Sequence, residues 1–119
     1  MKKLFILLLG IFLLSGCSSD NDNGLITFRE AKEQIINNGA ILVDVRTEAE
    51  YNEKHIEGAV LLTLDTINEE TVANIIESKE TPIIVYCRSG NRSGQALTLL
   101  EDLGYTDVYD LGSIDNWEE

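Results

Sequence analysis

Seven consecutive residues place a single thiol between a predicted strand and a predicted helix. They are Cys87, Arg88, Ser89, Gly90, Asn91, Arg92 and Ser93. Residues 82–86 before them form a short apolar, β-branched run that predicts a buried strand, and residues 95–103 after them carry apolar side chains at helical spacing. A helix N-terminus presents unpaired N–H groups and the positive end of its dipole, and both favour an anion. The segment therefore predicts an anion-binding loop with a cysteine at its base.

The arginines of this loop distinguish Cys87 from an inert core cysteine. Arg88 and Arg92 bring two positive charges within five residues of the thiol, and unpaired charge is costly in a protein core. Positive charge and helix N-terminal N–H groups both lower a thiol pKa, and the thiolate is the form that attacks. Gly90 lets the backbone curl so that several N–H groups point inward. We therefore predict that Cys87 is a nucleophile and that the six residues after it bind the anion.

The segments around the loop alternate between strand and helix patterns. Predicted strands cover residues 25–27, 41–45, 60–62, 82–86 and 107–110, and predicted helices cover 28–37, a short stretch ending near residue 52, 68–78 and 93–103. Thr27 with Glu30, and Thr47 with Glu50, have the spacing of capping boxes. Such alternation predicts an α/β fold, a parallel sheet of about five strands with helices on both faces. Ligands bind at the carboxyl ends of such strands, where Cys87 falls.

Four motifs in order along the chain resemble those of the rhodanese superfamily, sulfurtransferases that carry sulfur as a cysteine persulfide. The motifs are Asp44-x-Arg46 followed by Glu50-Tyr51, the segment His55–Val60, the loop at residues 87–93, and residues 111–117, in which Ser113 replaces a glycine of the family pattern. The resemblance spans about residues 25–117. It implies a rhodanese-like fold, with Asp44, Arg46 and His55 as supporting structural residues.

The resemblance also implies a reaction. The Cys87 thiolate would attack the outer sulfur of a small anionic donor such as thiosulfate, sulfite would leave, and a thiol or cyanide acceptor would remove the sulfur from the persulfide. No cofactor and no metal is expected. The hydroxyls of Ser89 and Ser93 are expected either to donate to the anion or to serve as turn and N-cap residues.

Two other classes of function share some of these features, and the first is a cysteine-dependent phosphatase or arsenate reductase. Protein tyrosine phosphatases need Cys-x5-Arg, which would place the arginine at position 93, whereas Ser93 stands there and Arg92 comes one residue early. The shorter loop suits a sulfur atom better than a tetrahedral phosphate or arsenate. The second class is a non-enzymatic module that binds a partner or senses sulfur or redox state through reversible oxidation of Cys87.

The first 24 residues predict export and lipidation. Residues 1–16 have a basic start and an apolar run at 4–14, which fits a signal peptide and falls short of the ~20 residues that span a bilayer. The run ends in Leu14-Ser15-Gly16-Cys17, which resembles a bacterial lipobox. Residues 17–24 are then a lipidated Cys17 with a flexible tether, and 25–119 are the rhodanese-like domain. The expected location is the cell envelope, at the outer face of the cytoplasmic membrane or in the periplasm.

Charge and cysteine count agree with this organisation. Removal of residues 1–16 takes away two lysines and leaves seven basic against 21 acidic residues, a net charge of −14. An acidic surface argues against nucleic acid and against adsorption to anionic lipid, so the membrane contact is expected to come from the lipid. With Cys17 lipidated, Cys87 has no partner for an intramolecular disulfide. A solitary thiol in an exported domain favours catalysis.

Overall fold

The computed structural model describes residues 24–118, so the predicted signal peptide, Cys17 and most of the tether lie outside the described residues. The helices within that range are α1 (Phe28–Asn38), α2 (Glu48–Glu53), α3 (Glu69–Ala73) and α4 (Asn91–Asp102), with 3-10 turns at Leu64–Thr66 and Ile114–Asn116. The strands are β1 (Ile41–Asp44), β2 (Val60–Leu61), β3 (Ile83–Cys87) and β4 (Val108–Ser113). Between residues 24 and 118, no helix is long and apolar enough to cross a bilayer.

The strands form one parallel sheet in the order β2-β1-β3-β4. This confirms the predicted parallel α/β architecture. The expected first strand at residues 25–27 is reduced to a single parallel bridge between Leu25 and Asp110. Two backbone hydrogen bonds support that bridge, from Ile26 N to the Asp110 carbonyl and from Asp110 N to the Gly24 carbonyl. The segment cannot extend further because Thr27 already caps α1.

Strand β3 lies in the centre of the sheet, and every one of its residues is buried. Successive side chains point to opposite faces, so Ile83, Val85 and Cys87 join the core beneath α3 and α4. Ile84 and Tyr86 join the second core, beneath α1. Burial on both faces explains why the strand reads as a continuous apolar run in the sequence.

The predicted capping boxes of α1 and α2 are both present. The Thr27 hydroxyl accepts a hydrogen bond from Glu30 N, and the Glu30 carboxylate accepts one from Thr27 N. Thr47 and Glu50 form the same reciprocal pair at α2. Each box satisfies donors that the first helical turn leaves without partners, so the two helices begin where the sequence predicts.

Three boundaries of these helices and strands differ from the prediction by more than one residue. The helix expected at residues 68–78 covers only Glu69–Ala73, because Asn74 caps it and two β-branched isoleucines, which are poor helix formers, follow. Ile75 N and Ile76 N still bond the Val72 carbonyl, and both isoleucine side chains still pack in or against the core. Helix α4 begins at Asn91 instead of residue 93, and β4 runs on to Ser113.

Candidate active site

The loop that follows β3 turns directly into α4. Cys87 is the last residue of β3, and Gly90 is the N-cap of α4. Gly90 has φ +102°, a conformation that side-chain-bearing residues rarely adopt. This turn directs the Gly90 N–H back toward the thiol. The N-cap role considered for Ser93 therefore belongs to Gly90, and Ser93 lies in the first turn of the helix.

The sulfur of Cys87 accepts hydrogen bonds from the loop backbone. The Gly90 N–H donates to Sγ at 2.9 Å and the Ser93 N–H at 3.3 Å. Burial raises the thiol pKa, but the hydroxyl and N–H of Ser93 and the N–H groups of Gly90 and Ser89 lower it, and the pKa of Cys87 ends below its usual range. The loop thus favours the thiolate although Cys87 is fully buried.

The side chains of Arg88 and Arg92 both lie next to Glu50. Arg92 makes a bidentate ion pair with Glu50 of α2, with Nη1–Oε1 at 2.8 Å and Nη2–Oε2 at 3.1 Å. Arg88 lies 4.0 Å from Glu50 Oε2, and its side chain is 75% exposed. Backbone N–H groups of the loop therefore contact the sulfur directly, whereas both arginines lie beside the Glu50 carboxylate.

Glu50 was predicted as a capping residue and as part of a family motif, but not as a member of the site. Its Oε1 accepts from Thr47 N, from the Thr47 hydroxyl and from Arg92. The Arg92 guanidinium is the largest of the effects that lower the pKa of Glu50, to about 2. Glu50 is therefore an anion at any working pH. Its ion pair spans 42 residues of sequence, which no local pattern reveals.

Asp44 and Arg46 form a buried ion pair at the end of β1. Arg46 Nη2 lies 2.7 Å from Asp44 Oδ2, and both residues are buried. Tyr86 OH donates to the same oxygen at 2.7 Å and accepts from Ile56 N at 3.1 Å. Arg46 also donates to the carbonyl of Lys54, the residue that ends α2. The network ties β1, β3 and both ends of α2 together beside the loop.

His55 contacts Tyr51. The two rings stack with centroids 3.7 Å apart, and His55 Nδ1 lies 2.8 Å from the Tyr51 carbonyl oxygen. Tyr51 OH donates to the Ala59 carbonyl, so the pair supports the segment between α2 and β2. The structure gives His55 a place in the scaffold beside α2.

The remaining loop residues face outward. Ser89 and Asn91 are exposed, and the side-chain oxygen Oδ1 of Asn91 accepts a hydrogen bond from Gln95 Nε2 along α4. Ser113 of β4 holds the loop from the other side, since its hydroxyl donates to the Arg88 carbonyl at 2.7 Å. A glycine at position 113, as in the family pattern, would lack this hydrogen bond.

Two pockets flank the Glu50–Arg92 pair. One, of about 230 Å³, is lined by Val45, Leu64 and Arg92 among others. The other, of about 450 Å³, includes Glu50 and Arg88. Within residues 24–118, no three His, Cys, Asp or Glu side chains are grouped as a metal site would require. The chemistry that the arrangement offers is that of an activated thiol beside an anion-binding backbone.

Comparison with known proteins agrees with this arrangement. The sequence model of the rhodanese-like domain matches residues 27–119. Thiosulfate sulfurtransferase PspE of Escherichia coli K12 is 35% identical over 72 residues, covering 60% of this chain and 68% of the relative. Thiosulfate sulfurtransferase GlpE of Coxiella burnetii is 31% identical over 94 residues, covering 78% and 85%. The solved structure of a rhodanese with anions from E. coli superimposes with a TM-score of 0.61 at 32% identity, over 65% of this chain and 89% of that one.

The chain belongs to the rhodanese-like domain family. It is an enzyme of the rhodanese-like sulfurtransferase class, and the family predicted from the four motifs is confirmed.

Proposed function

We propose that the protein moves sulfane sulfur from thiosulfate, or a related small anionic donor, to a thiol or cyanide acceptor through a persulfide on Cys87. The observation that carries the proposal is the pair of N–H groups from Gly90 and Ser93 that converge on Sγ. Donors aimed at one sulfur at a helix N-terminus stabilise a thiolate before reaction and the persulfide anion after it.

In the first half-reaction, the Cys87 thiolate attacks the outer sulfur of thiosulfate. A new S–S bond forms to Sγ while the donor's S–S bond breaks, and its electron pair leaves with sulfite. The product Cys87–S–S⁻ carries the single negative charge that the thiolate had. In the second half-reaction, the acceptor attacks the outer sulfur of the persulfide, and the Cys87 thiolate leaves. No general base is needed because the thiolate is already formed.

Thiosulfate is the proposed donor because two relatives that match most of their own length, PspE and GlpE, are named thiosulfate sulfurtransferases. The similar solved structure, described as a rhodanese with anions from E. coli, supports an anionic ligand for this chain as well. In this chain, the loop N–H groups together with Arg88 and Arg92 are the groups suited to a donor's sulfonyl oxygens.

We also propose that the enzyme acts in the cell envelope, held at a membrane surface by lipid on Cys17. The support comes from the sequence alone, the short apolar segment and the Leu14-Ser15-Gly16-Cys17 motif. Metabolic labelling with a radioactive fatty acid tests this point. Label in the wild-type protein and none in Cys17→Ser supports the anchor, and equal label in both contradicts it.

The activity is tested on the full chain carrying Cys17→Ser, in which Cys87 is the only thiol. After incubation with thiosulfate and removal of excess donor, we expect the intact mass to rise by one sulfur atom. Cyanide should return the original mass and release thiocyanate, and the matched variant Cys87→Ser should gain nothing. A reduced thiol that gains no sulfur from thiosulfate would refute the proposed donor, and none from polysulfide either would refute the persulfide mechanism.

A further inference from the structure

Glu50 is a fixed negative charge beside the two arginines of the loop that carries Cys87. Its carboxylate pairs with both terminal nitrogens of Arg92 and lies 4.0 Å from Arg88. The two arginines and Glu50 together carry one net positive charge instead of two. Glu50 contributes none of the hydrogen bonds made to the sulfur in this structure, so its effect at the site is exerted through Arg92 and through its charge.

The position of Glu50 is set by its own helix. Oε1 accepts from the N–H and the hydroxyl of Thr47 at 2.9 and 3.1 Å while it also binds Arg92. The Glu50 side chain is 20% exposed and that of Arg92 is 30% exposed, so solvent screens the pair only in part. The capping box therefore holds the Glu50 carboxylate independently of its ion pair with Arg92.

We propose that Glu50 is a positioning residue that sets donor selectivity, by holding Arg92 and by disfavouring donors in proportion to their negative charge. The inference rests on the proposed function and goes beyond it, because it assigns to Glu50 a preference for monoanionic over dianionic sulfane-sulfur donors. Such donors include organic thiosulfonates, in which one charged oxygen of thiosulfate is replaced by an uncharged group.

Thiosulfate and methanethiosulfonate make a matched pair of probes. With each, the Cys87 thiolate attacks the outer sulfur, a new S–S bond forms to Sγ, and the donor's S–S bond breaks. The electron pair leaves with sulfite from thiosulfate, or with methanesulfinate from methanethiosulfonate. The product on the enzyme is the same Cys87 persulfide, so a difference between the donors reports on the charge of the sulfonyl group.

The test is Glu50→Gln in the full chain carrying Cys17→Ser, measured by single-turnover loading of Cys87 over a range of donor concentrations. Glutamine is accepted at this position of a capping box, so the helix start is preserved. Removal of one charge from a partly solvated site should tighten binding about threefold for each donor charge, hence about threefold for methanethiosulfonate and about tenfold for thiosulfate. The limiting rate should stay unchanged, because the sulfonyl charge is present in both the bound donor and the transition state.

Glu48→Gln is the control, because it removes the same charge from an exposed position in the same helix. It should change neither the dissociation constant of either donor nor the limiting rate of loading. An equal change for both donors, or none for either, would overturn the inference and leave Glu50 a purely structural residue. A wild-type chain that loads no sulfur from either donor would instead refute the proposed function. The gain in binding caused by Glu50→Gln should be larger for thiosulfate than for methanethiosulfonate, and this difference should shrink as ionic strength rises. A difference that does not depend on salt would also overturn the inference.

Discussion

Replacement of Ser93 by alanine should raise the pKa of Cys87 and slow its reactions near neutral pH. Ser93 is fully buried, and its hydroxyl is the largest of the contributions that lower the thiol pKa. The substitution removes that hydroxyl and leaves the Ser93 N–H, which donates to Sγ at 3.3 Å. The variant therefore separates the side-chain donor from the backbone donors.

The expected size of the change in the Cys87 pKa follows from the hydrogen bonds open to the Ser93 hydroxyl. Hydrogen bonds to a charged group contribute about 1.5–3 kcal/mol. The hydrogen bond that the Ser93 hydroxyl makes in the structure goes to the Gly90 carbonyl, at 3.1 Å, so its effect on the thiolate is smaller than that of a donor directed only at Sγ. We therefore take the lower end of that range, which corresponds to about one pKa unit. Below both pKa values, the thiolate fraction and the alkylation rate should fall about tenfold.

The assay is the rate of iodoacetamide alkylation across pH 4–10 in the full chain carrying Cys17→Ser. The two rate profiles should converge at high pH, where the Cys87 thiol is fully ionised in both proteins. Thr98→Val is the control, since Thr98 of the same helix donates to the carbonyl four residues back and lies outside the loop. Equal slowing at every pH would show that the substitution changes access to the thiol, and unaltered profiles would show that the backbone alone sets the pKa. Either result would refute the reasoning.

Three further predictions concern the loop and its supports. Gly90→Ala forces a side chain into φ +102°, which should cost about 1–2 kcal/mol in the free energy of unfolding and slow sulfur loading, and an unchanged urea midpoint would contradict it. Tyr86→Phe removes a donor to Asp44 and the acceptor of the buried Ile56 N–H, so urea unfolding should show a loss of about 1–3 kcal/mol, while an unchanged Cys87 pKa checks that the loop is intact. Since the pKa of Glu50 is lowered from 4.5 to about 2, its stabilisation is present above pH 4.5 and is lost as pH falls toward 2, so Glu50→Gln should flatten the fall in stability over that range.

The parts of the fold that depend on neighbours in sequence were predictable. A capping box needs two residues three positions apart, so Thr27 with Glu30 marks the start of a helix without knowledge of the rest of the chain. The continuous apolar run of β3 likewise reflects burial on both faces. The predicted third helix was too long because buried Val72 and Ile76 lie on the same side of this segment. They do so whether or not the backbone between and after them is helical.

The parts of the site that depend on tertiary contacts could not be predicted from the sequence. The loop identifies Cys87, but the two N–H donors act only because Gly90 adopts a positive φ. The charge of the arginines reads directly from the sequence, whereas its partial neutralisation by Glu50 requires contacts across 42 residues. The hydrogen bond from Ser113 to the Arg88 carbonyl spans 25 residues, so a departure from the family pattern gave no hint that it braces the loop.

Helix α2 has six residues, too few to be stable in isolation, and it is fastened at both ends. Thr47 caps its start, and the guanidinium of the preceding Arg46 reaches its final carbonyl, that of Lys54. Helix α2 therefore places the Glu50 charge beside the loop, but it supplies none of the hydrogen bonds made to the sulfur in this structure. With the proposed role of Glu50, the strength of the nucleophile and the choice of donor depend on different parts of this scaffold. Directed evolution toward new sulfur donors is best confined to residues 47–54, where a library can vary selectivity without putting the thiolate at risk.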